Sequence, residues 1–237
     1  FPDTAAQWLQ AQGAALHTGQ RVAGLARTAD GWDVDGTRFD SVVLATHSTE
    51  AARLVQAAHG SLSHTEQGEA AEWIHVTQAL RFTSIGTVYA QASATSRPHG
   101  SQPGEESRHT LDRAMLALRP GPEQPAQFVF DRGHLGGPAG LLAFVVSVSE
   151  QDRATLEDQV VRQAQEQLGL KTLRPLQTVV EKRATFACTP GLRRPGNRVL
   201  SGLWAAGDYT VGPYPATLEG AIRSGLHAAQ QITGLRH

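Results

Sequence analysis

Cysteine is nearly absent, Cys188 being the one such residue in 237. It leaves no partner for an internal disulfide and no Cys-pair metal site, which fits a reducing compartment, and it reads as a small buried side chain. Long hydrophobic runs are lacking too. None reaches the roughly 18 residues of a membrane span, and no charged-then-apolar leader opens the chain, so a cytoplasmic location is expected. Neither sign of charge prevails, because 21 basic and 22 acidic residues leave a net charge of −1. Without a basic field nothing holds nucleic acid or an anionic membrane, and small molecules are the expected partners.

Several motifs are missing as well. Among 24 glycines no two are separated by one residue, which excludes the G-x-G-x-x-G turn whose backbone closes on a pyrophosphate. The Gly133 to Gly140 cluster does not substitute for it, since Pro138 removes a donor N–H; it reads as a turn. There is no G-x-x-x-x-G-K-[ST], no H-E-x-x-H and no G-x-S-x-G, so nucleotide hydrolysis, zincin and α/β-hydrolase chemistry lack their anchors. The ten histidines show no ligand-like spacing. His59 and His64 read as solvated, and no metal site is expected.

With 40% hydrophobic residues, the chain can bury one large core or two modest ones. Asp3 is placed to cap a first helix with Ala5, Trp8 and Leu9 on one face and Gly13 at its end. Turn pairs Asp30-Gly31 and Asp35-Gly36 then divide short β-prone stretches, Val22 to Thr28, Trp32 to Val34 and Arg38-Phe39, into a β-meander. The run Ser41-Val-Val-Leu-Ala-Thr46 is apolar on both faces, as in a buried parallel strand. Helices are expected from about Thr49 to Ala58 and over Thr65 to Leu80, and a strand from Ile85 to Ala90.

Residues 91–108, rich in Ser, Pro, Gly and His, read as an exposed loop. Met115 to Leu118, Gln127 to Phe130 and Leu141 to Val148 are strand candidates of an antiparallel sheet. Ser149 with Asp152 resembles a capping box ahead of a helix with Leu156, Val160, Ala164 and Leu168 on one face and Gly169 at its end. Thr178 to Ala187 reads as a further strand, and Trp73 and Trp204 as core residues.

The most informative stretch runs from Val199 to Gly225. Val199 to Ala206 forms a strand, Gly207 permits close backbone approach, and Asp208 puts a carboxylate at the strand's carboxyl edge, where open α/β sheets bind ligands. Pro215 fixes its φ just ahead of a helix whose apolar face is Leu218, Ala221, Ile222, Leu226 and Ala229. N–H groups around Ala216, Thr217 and Leu218 would favour partial negative charge on a ligand. Gly220 and Gly225 weaken that helix by roughly 1 kcal/mol each, which implies a close approach.

Ala-Gly-Asp208 followed by Pro215-Ala-Thr-Leu-Glu-Gly-Ala-Ile-Arg-Ser-Gly225 resembles the C-terminal FAD motif of the amine oxidase/phytoene desaturase superfamily. Tyr-Pro-Ala-Thr-Leu-Glu-Gly-Ala and the early Phe-Pro-Asp-Thr-Ala-Ala-Gln-Trp-Leu resemble, within it, the squalene-associated FAD-dependent desaturases, or hydroxysqualene dehydroxylases. The resemblance implies FAD as cofactor, with Asp208 beside Gly207 on a ribityl hydroxyl and Pro215, Ala216, Thr217 and Leu218 at the pyrimidine end of the flavin. Val22 would meet the adenine and Thr46 pass near the dinucleotide.

The implied fold is α/β plus α+β. Residues 1–60 and 186–237 would form the C-terminal part of a doubly wound FAD-binding domain with its meander, and 61–185 a substrate domain on an antiparallel or mixed sheet. The implied function is redox chemistry on a hydrophobic polyisoprenoid, with peripheral membrane association for substrate access. The same fold also serves amine or porphyrinogen oxidation, and a non-catalytic module that has lost its cofactor is a further alternative. The start at Phe1 and the missing glycine motif lead us to expect a C-terminal fragment, inactive by itself, that exposes apolar surface and self-associates. No catalytic acid or base is identified.

Overall fold

The computed structural model describes residues 2–93, 109–147 and 151–234. They fall into two compact units, residues 1–80 with 188–237, and residues 81–187. The sequence division put 61–80 with the second segment. In the structure those residues belong to the first unit, because their helix packs on its neighbouring helix and on a strand beyond residue 187.

The first unit opens with α1 (Pro2–Ala11), which buries none of its residues. Trp8 and Leu9 are exposed, so the expected apolar face is not buried. Residues 14–24 are irregular, and the meander begins later than Val22, as β1 (Leu25–Thr28), β2 (Gly31–Val34) and β3 (Thr37–Phe39). Asp35 and Gly36 join β2 to β3 with φ of 47° and 85°, the left-handed pair a two-residue hairpin requires. Gly31 must be glycine, since a Cβ there would collide with the Phe39 carbonyl oxygen.

Then come β4 (Val42–Leu44), α2 (Ser48–Ala57) and α3 (His64–Gln78). A complete capping box starts α3: the Ser63 side chain accepts from the Glu66 backbone, and Glu66 accepts from Ser63. After the second unit the chain returns as β10 (Arg198–Leu200), β11 (Leu203–Ala205) and α5 (Leu218–Thr233). The continuous strand expected over Val199 to Ala206 is a hairpin instead, turned at Gly202 with φ 71°. Its second arm lies parallel to β4, pairing Leu203 with Val42 and Ala205 with Leu44.

The second unit carries β5 (Phe82–Ala92), β6 (Met115–Ala117), β7 (Phe128–Asp131), β8 (Leu141–Ser147), α4 (Arg153–Leu168) and β9 (Leu173–Phe186). The strands form one antiparallel sheet in the order β6-β7-β8-β5-β9. Leu156, Val160 and Ala164 of α4 pack on Val88, Ala90, Val129, Leu142 and Phe144 from one sheet face, all buried. Fully burying each such side chain contributes roughly 1.5–3 kcal/mol for the larger ones. Asp152 caps α4 by accepting from Thr155, and Gly169 ends it in the left-handed conformation; Ser149 lies outside the described residues. Among the described residues no helix is long and apolar enough to cross a membrane.

Candidate functional site

The parallel pair β4–β11 fixes the geometry. Both strands end at the same level, and the Ala206 N–H donates to the Leu44 carbonyl at 3.0 Å. Two segments therefore leave the carboxyl edge of the sheet side by side, Ala45 to Ser48 and Ala206 to Tyr209. Each carries a buried hydroxyl without a hydrogen-bond partner among the described residues, Ser48 Oγ and Tyr209 Oη. Unpartnered buried hydroxyls are costly and uncommon, and the carboxyl edge is where open α/β sheets bind ligands.

Asp208 is half-buried. Burial raises its pKa from the ordinary carboxylate value, against the opposing pull of backbone N–H groups and of His47 and Arg194. Burial, and next the Asp208 charge, pushes the Tyr209 phenol up as well. Gly207 does allow a close approach, but the group that approaches is the Tyr209 ring, which a Cβ at 207 would overlap. The Gly207 N–H donates to Ser224 Oγ at 2.8 Å, tying the turn to α5. Asp208 lines a cavity of about 560 Å³ with Trp204, Arg223 and His227; Trp204 is thus half-buried at a cavity wall rather than in the core.

Between Asp208 and α5 the chain is strained: Tyr214 and Ala216 both have φ of 57°, a conformation that costs non-glycine residues and gathers at ligand sites. Pro215 stands between them. The Ala216 N–H is taken by the Asp208 carbonyl at 3.3 Å, so Ala216 is not a free donor as expected. Thr217 is the N-cap, its Oγ1 accepting from the Gly220 N–H at 3.1 Å and donating to the Tyr214 carbonyl at 2.6 Å. The open donors of the helix start are those of Leu218 and Glu219, whose N–H groups have no acceptor among the described residues.

The face of α5 is reversed from the expectation. Leu218 is 84% exposed, and Ile222 and Leu226 are exposed too. Gly220, Ser224 and Ala228 are the buried residues. Small side chains bring this helix close to its neighbours, and Gly220 lies so near the Tyr214 carbonyl oxygen that a Cβ would overlap it. Around Gly225 a Cβ would meet nothing within 4 Å, so no close approach explains that glycine.

Val22 and Thr46 lie together elsewhere, on a cavity of about 660 Å³ with an apolar floor of Leu25, Val34, Val42, Leu44 and Leu54 and a polar corner of Arg21 and Glu50. Thr46 is past the end of β4. The Val22 carbonyl accepts from Arg53 at 2.7 Å, and Arg53 also holds the Ala23 carbonyl and Glu50. The side-chain bonds from Arg53 and then Arg21 lower Glu50 to about 2. The structure therefore places the eight expected residues in two groups, Val22 with Thr46 and Gly207 through Leu218, linked through the β4–β11 pair.

Sequence reading missed one cluster. His109, Asp131 and His134 each offer a ligand atom within 4.8 Å of the others; His109 is remote from the other two along the chain, so spacing did not reveal the set. Asp131 is already engaged, accepting from the backbone of Thr110, Leu111 and Gly133. The imidazoles are stacked 3.7 Å apart, and a His134 ring nitrogen donates to the Leu111 carbonyl at 2.9 Å. The cluster ties the start of the described 109–111 segment to the end of β7. Cys188 is exposed rather than buried.

A flavin fits these residues at one end. Asp208 is an acceptor for a hydroxyl, and the α5 start offers donors to a partly anionic edge. The sequence has no G-x-G-x-x-G turn for a pyrophosphate.

The model of the flavin containing amine oxidoreductase family matches residues 1–233. Stretches of 63 and 60 residues are each 48% identical to hydroxysqualene dehydroxylases of Rhodopseudomonas palustris and Sinorhizobium fredii, covering 25% and 24% of this chain and 15% and 14% of those proteins. Among solved structures, an oxidoreductase from Methanosarcina mazei superposes with a TM-score of 0.64 at 19% identity, over 96% of this chain and 53% of that one. A putrescine oxidase bound to putrescine gives 0.55 at 13% identity, over 90% and 48%. The chain thus spans about half the length of these structures, and the likeness to them is one of fold.

Proposed function

Because the chain belongs to the flavin containing amine oxidoreductase family, we propose that it forms the flavin-facing and substrate-facing part of an FAD-dependent oxidoreductase acting on a hydrophobic polyisoprenoid. The observation that carries this reading is Asp208 at the carboxyl edge of the β4–β11 pair, followed by the strained turn and the open start of α5. FAD, when bound, supplies the redox chemistry. In this reading Asp208 orients the cofactor through a ribityl hydroxyl, and Leu218 and Glu219 N–H groups face its pyrimidine end. Thr217 fixes the helix start that presents them. Val22 and Thr46 lie toward the adenine side, where Arg53 holds the Val22 carbonyl.

The first unit is the cofactor part and the second the substrate part. The polyisoprenoid assignment rests on the two hydroxysqualene dehydroxylases. The test is anaerobic: the flavin-loaded protein is mixed with hydroxysqualene or with putrescine, and the flavin absorbance is followed with and without an added reductant. A change in flavin redox state dependent on hydroxysqualene is expected. A change with putrescine alone would assign amine oxidation instead.

A further inference from the structure

The cluster of His109, Asp131 and His134 lies wholly within the second unit and has no part in the flavin reading. Its chemistry follows from the bonds each side chain already makes. Asp131 is fully buried at the end of β7. Its Oδ2 accepts from the Thr110 and Leu111 N–H groups at 2.6 and 2.9 Å, and its Oδ1 from the Gly133 N–H at 2.9 Å. A carboxylate has about four lone-pair positions. Three are used, and Oδ1 keeps one.

His134 is half-buried on the short turn at 132–135. Its Nε2 stands 2.9 Å from the Leu111 carbonyl, and a carbonyl can only accept, so Nε2 carries the hydrogen. In the neutral ring Nδ1 then holds the lone pair. Metal-ligating histidines are held in this way: one ring nitrogen donates to a backbone carbonyl, which fixes the tautomer and leaves the other as the ligand.

His109 is exposed and stacks on His134, with ring centroids 3.7 Å apart and planes 15° from parallel. The three ligand atoms lie within 4.8 Å of one another. An ion about 2.0–2.1 Å from each would draw them to roughly 3.3 Å apart. The His109 side chain, at the surface, can rotate to close that gap.

We propose that His109, Asp131 and His134 bind one divalent cation of the zinc class, with a water in the fourth position, and so clasp the chain ahead of β6 to the end of β7. Two imidazole nitrogens and one carboxylate oxygen suit zinc, cobalt or nickel, whereas calcium and magnesium take oxygen ligands. The role is structural. The backbone of Thr110 and Leu111 already rests on Asp131, and the ion adds the His109 side chain to the same anchor. Neither flavin nor substrate enters, so the proposal stands or falls apart from the redox assignment.

The protein, purified without a polyhistidine tag and stripped with EDTA, is titrated with zinc chloride by calorimetry, and its thermal unfolding is followed with and without zinc. One equivalent should bind at about micromolar concentration or tighter and raise the melting temperature. His109→Ala removes an exposed side chain and should weaken binding at least about tenfold, with most of the rise in melting temperature lost; His134→Ala should do the same. His17→Ala, at an exposed histidine of the first unit, should change neither. Asp131 is left intact, because its carboxylate also holds three backbone N–H groups. Zinc that fails to bind at about 100 μM, or that binds equally well to His109→Ala or to His134→Ala, would overturn the proposal.

Discussion

At the residue scale, the ligand role proposed for Asp208 comes at some expense to the fold. Burial raises its pKa, so the folded state disfavours the ionised carboxylate. Its contribution to stability is full below the unfolded carboxylate value near 3.8 and is lost as pH rises through the folded value. Asp208→Asn keeps the shape and removes the charge. The variant should melt higher than the parent at pH 7, the gap closing on acidification toward pH 4, and should bind FAD about ten- to hundredfold more weakly, the size of a hydrogen bond to a charged group. Calorimetry across pH and FAD titration check both; a variant that melts lower at pH 7 and binds FAD equally would remove Asp208 from the site. Asp208 was singled out in the sequence because it follows an apolar strand at the edge where open α/β sheets bind ligands. Ser48 and Tyr209 were not, since a hydroxyl becomes informative when its burial and lack of a partner are known.

At the element scale, most strands and helices were readable from period and turn residues, including the Asp35-Gly36 hairpin and the Gly169 helix end. The departures have specific causes. The strand expected from Thr178 begins earlier, at Leu173, because β9 is a sheet edge with an irregularity beside Pro175, where proline is tolerated. Gly202 inside an apolar run concealed the β10–β11 hairpin. For α5 the larger aliphatics were assigned to the buried face, whereas Gly220, Ser224 and Ala228 pack and Leu218, Ile222 and Leu226 face outward. Helical period finds a stripe, and size does not say which stripe is buried.

The two α5 glycines separate these effects. Gly220→Ala places a methyl on a backbone oxygen. The overlap, of order 1–3 kcal/mol, should outweigh the helix-propensity gain of about 1 kcal/mol and lower the melting temperature by several degrees. Gly225→Ala meets nothing and should raise it by about the propensity gain. Thermal unfolding of the pair gives opposite signs if α5 sits as described, and the same sign if it does not.

At the scale of the whole molecule, each unit has its own sheet and core, and each leaves apolar surface open. Val22, Phe39 and Val43 are exposed near β4, which among the described residues pairs with β11 alone. Leu218, Ile222 and Leu226 are open on α5, and Met115, Phe128 and Val179 are exposed on the five-stranded sheet. Open surfaces of this kind bind something. Composition showed a chain able to fill two cores but not which faces stay uncovered, because hydrophobic residues that line a site and those that fill a core have the same sequence signature. The absent glycine motif was legible, and it sets the central question, since the proposed flavin site at Asp208 and α5 accounts for one end of the cofactor.

The measurement that addresses this most directly is the visible absorbance spectrum of the 237-residue chain and of a longer form that adds a G-x-G-x-x-G segment ahead of it, each dialysed after exposure to FAD. Flavin bands retained by the longer form, and lost from it on Asp208→Asn, are the predicted result. A longer form that stays colourless would contradict the flavoenzyme account and leave a binding module without cofactor.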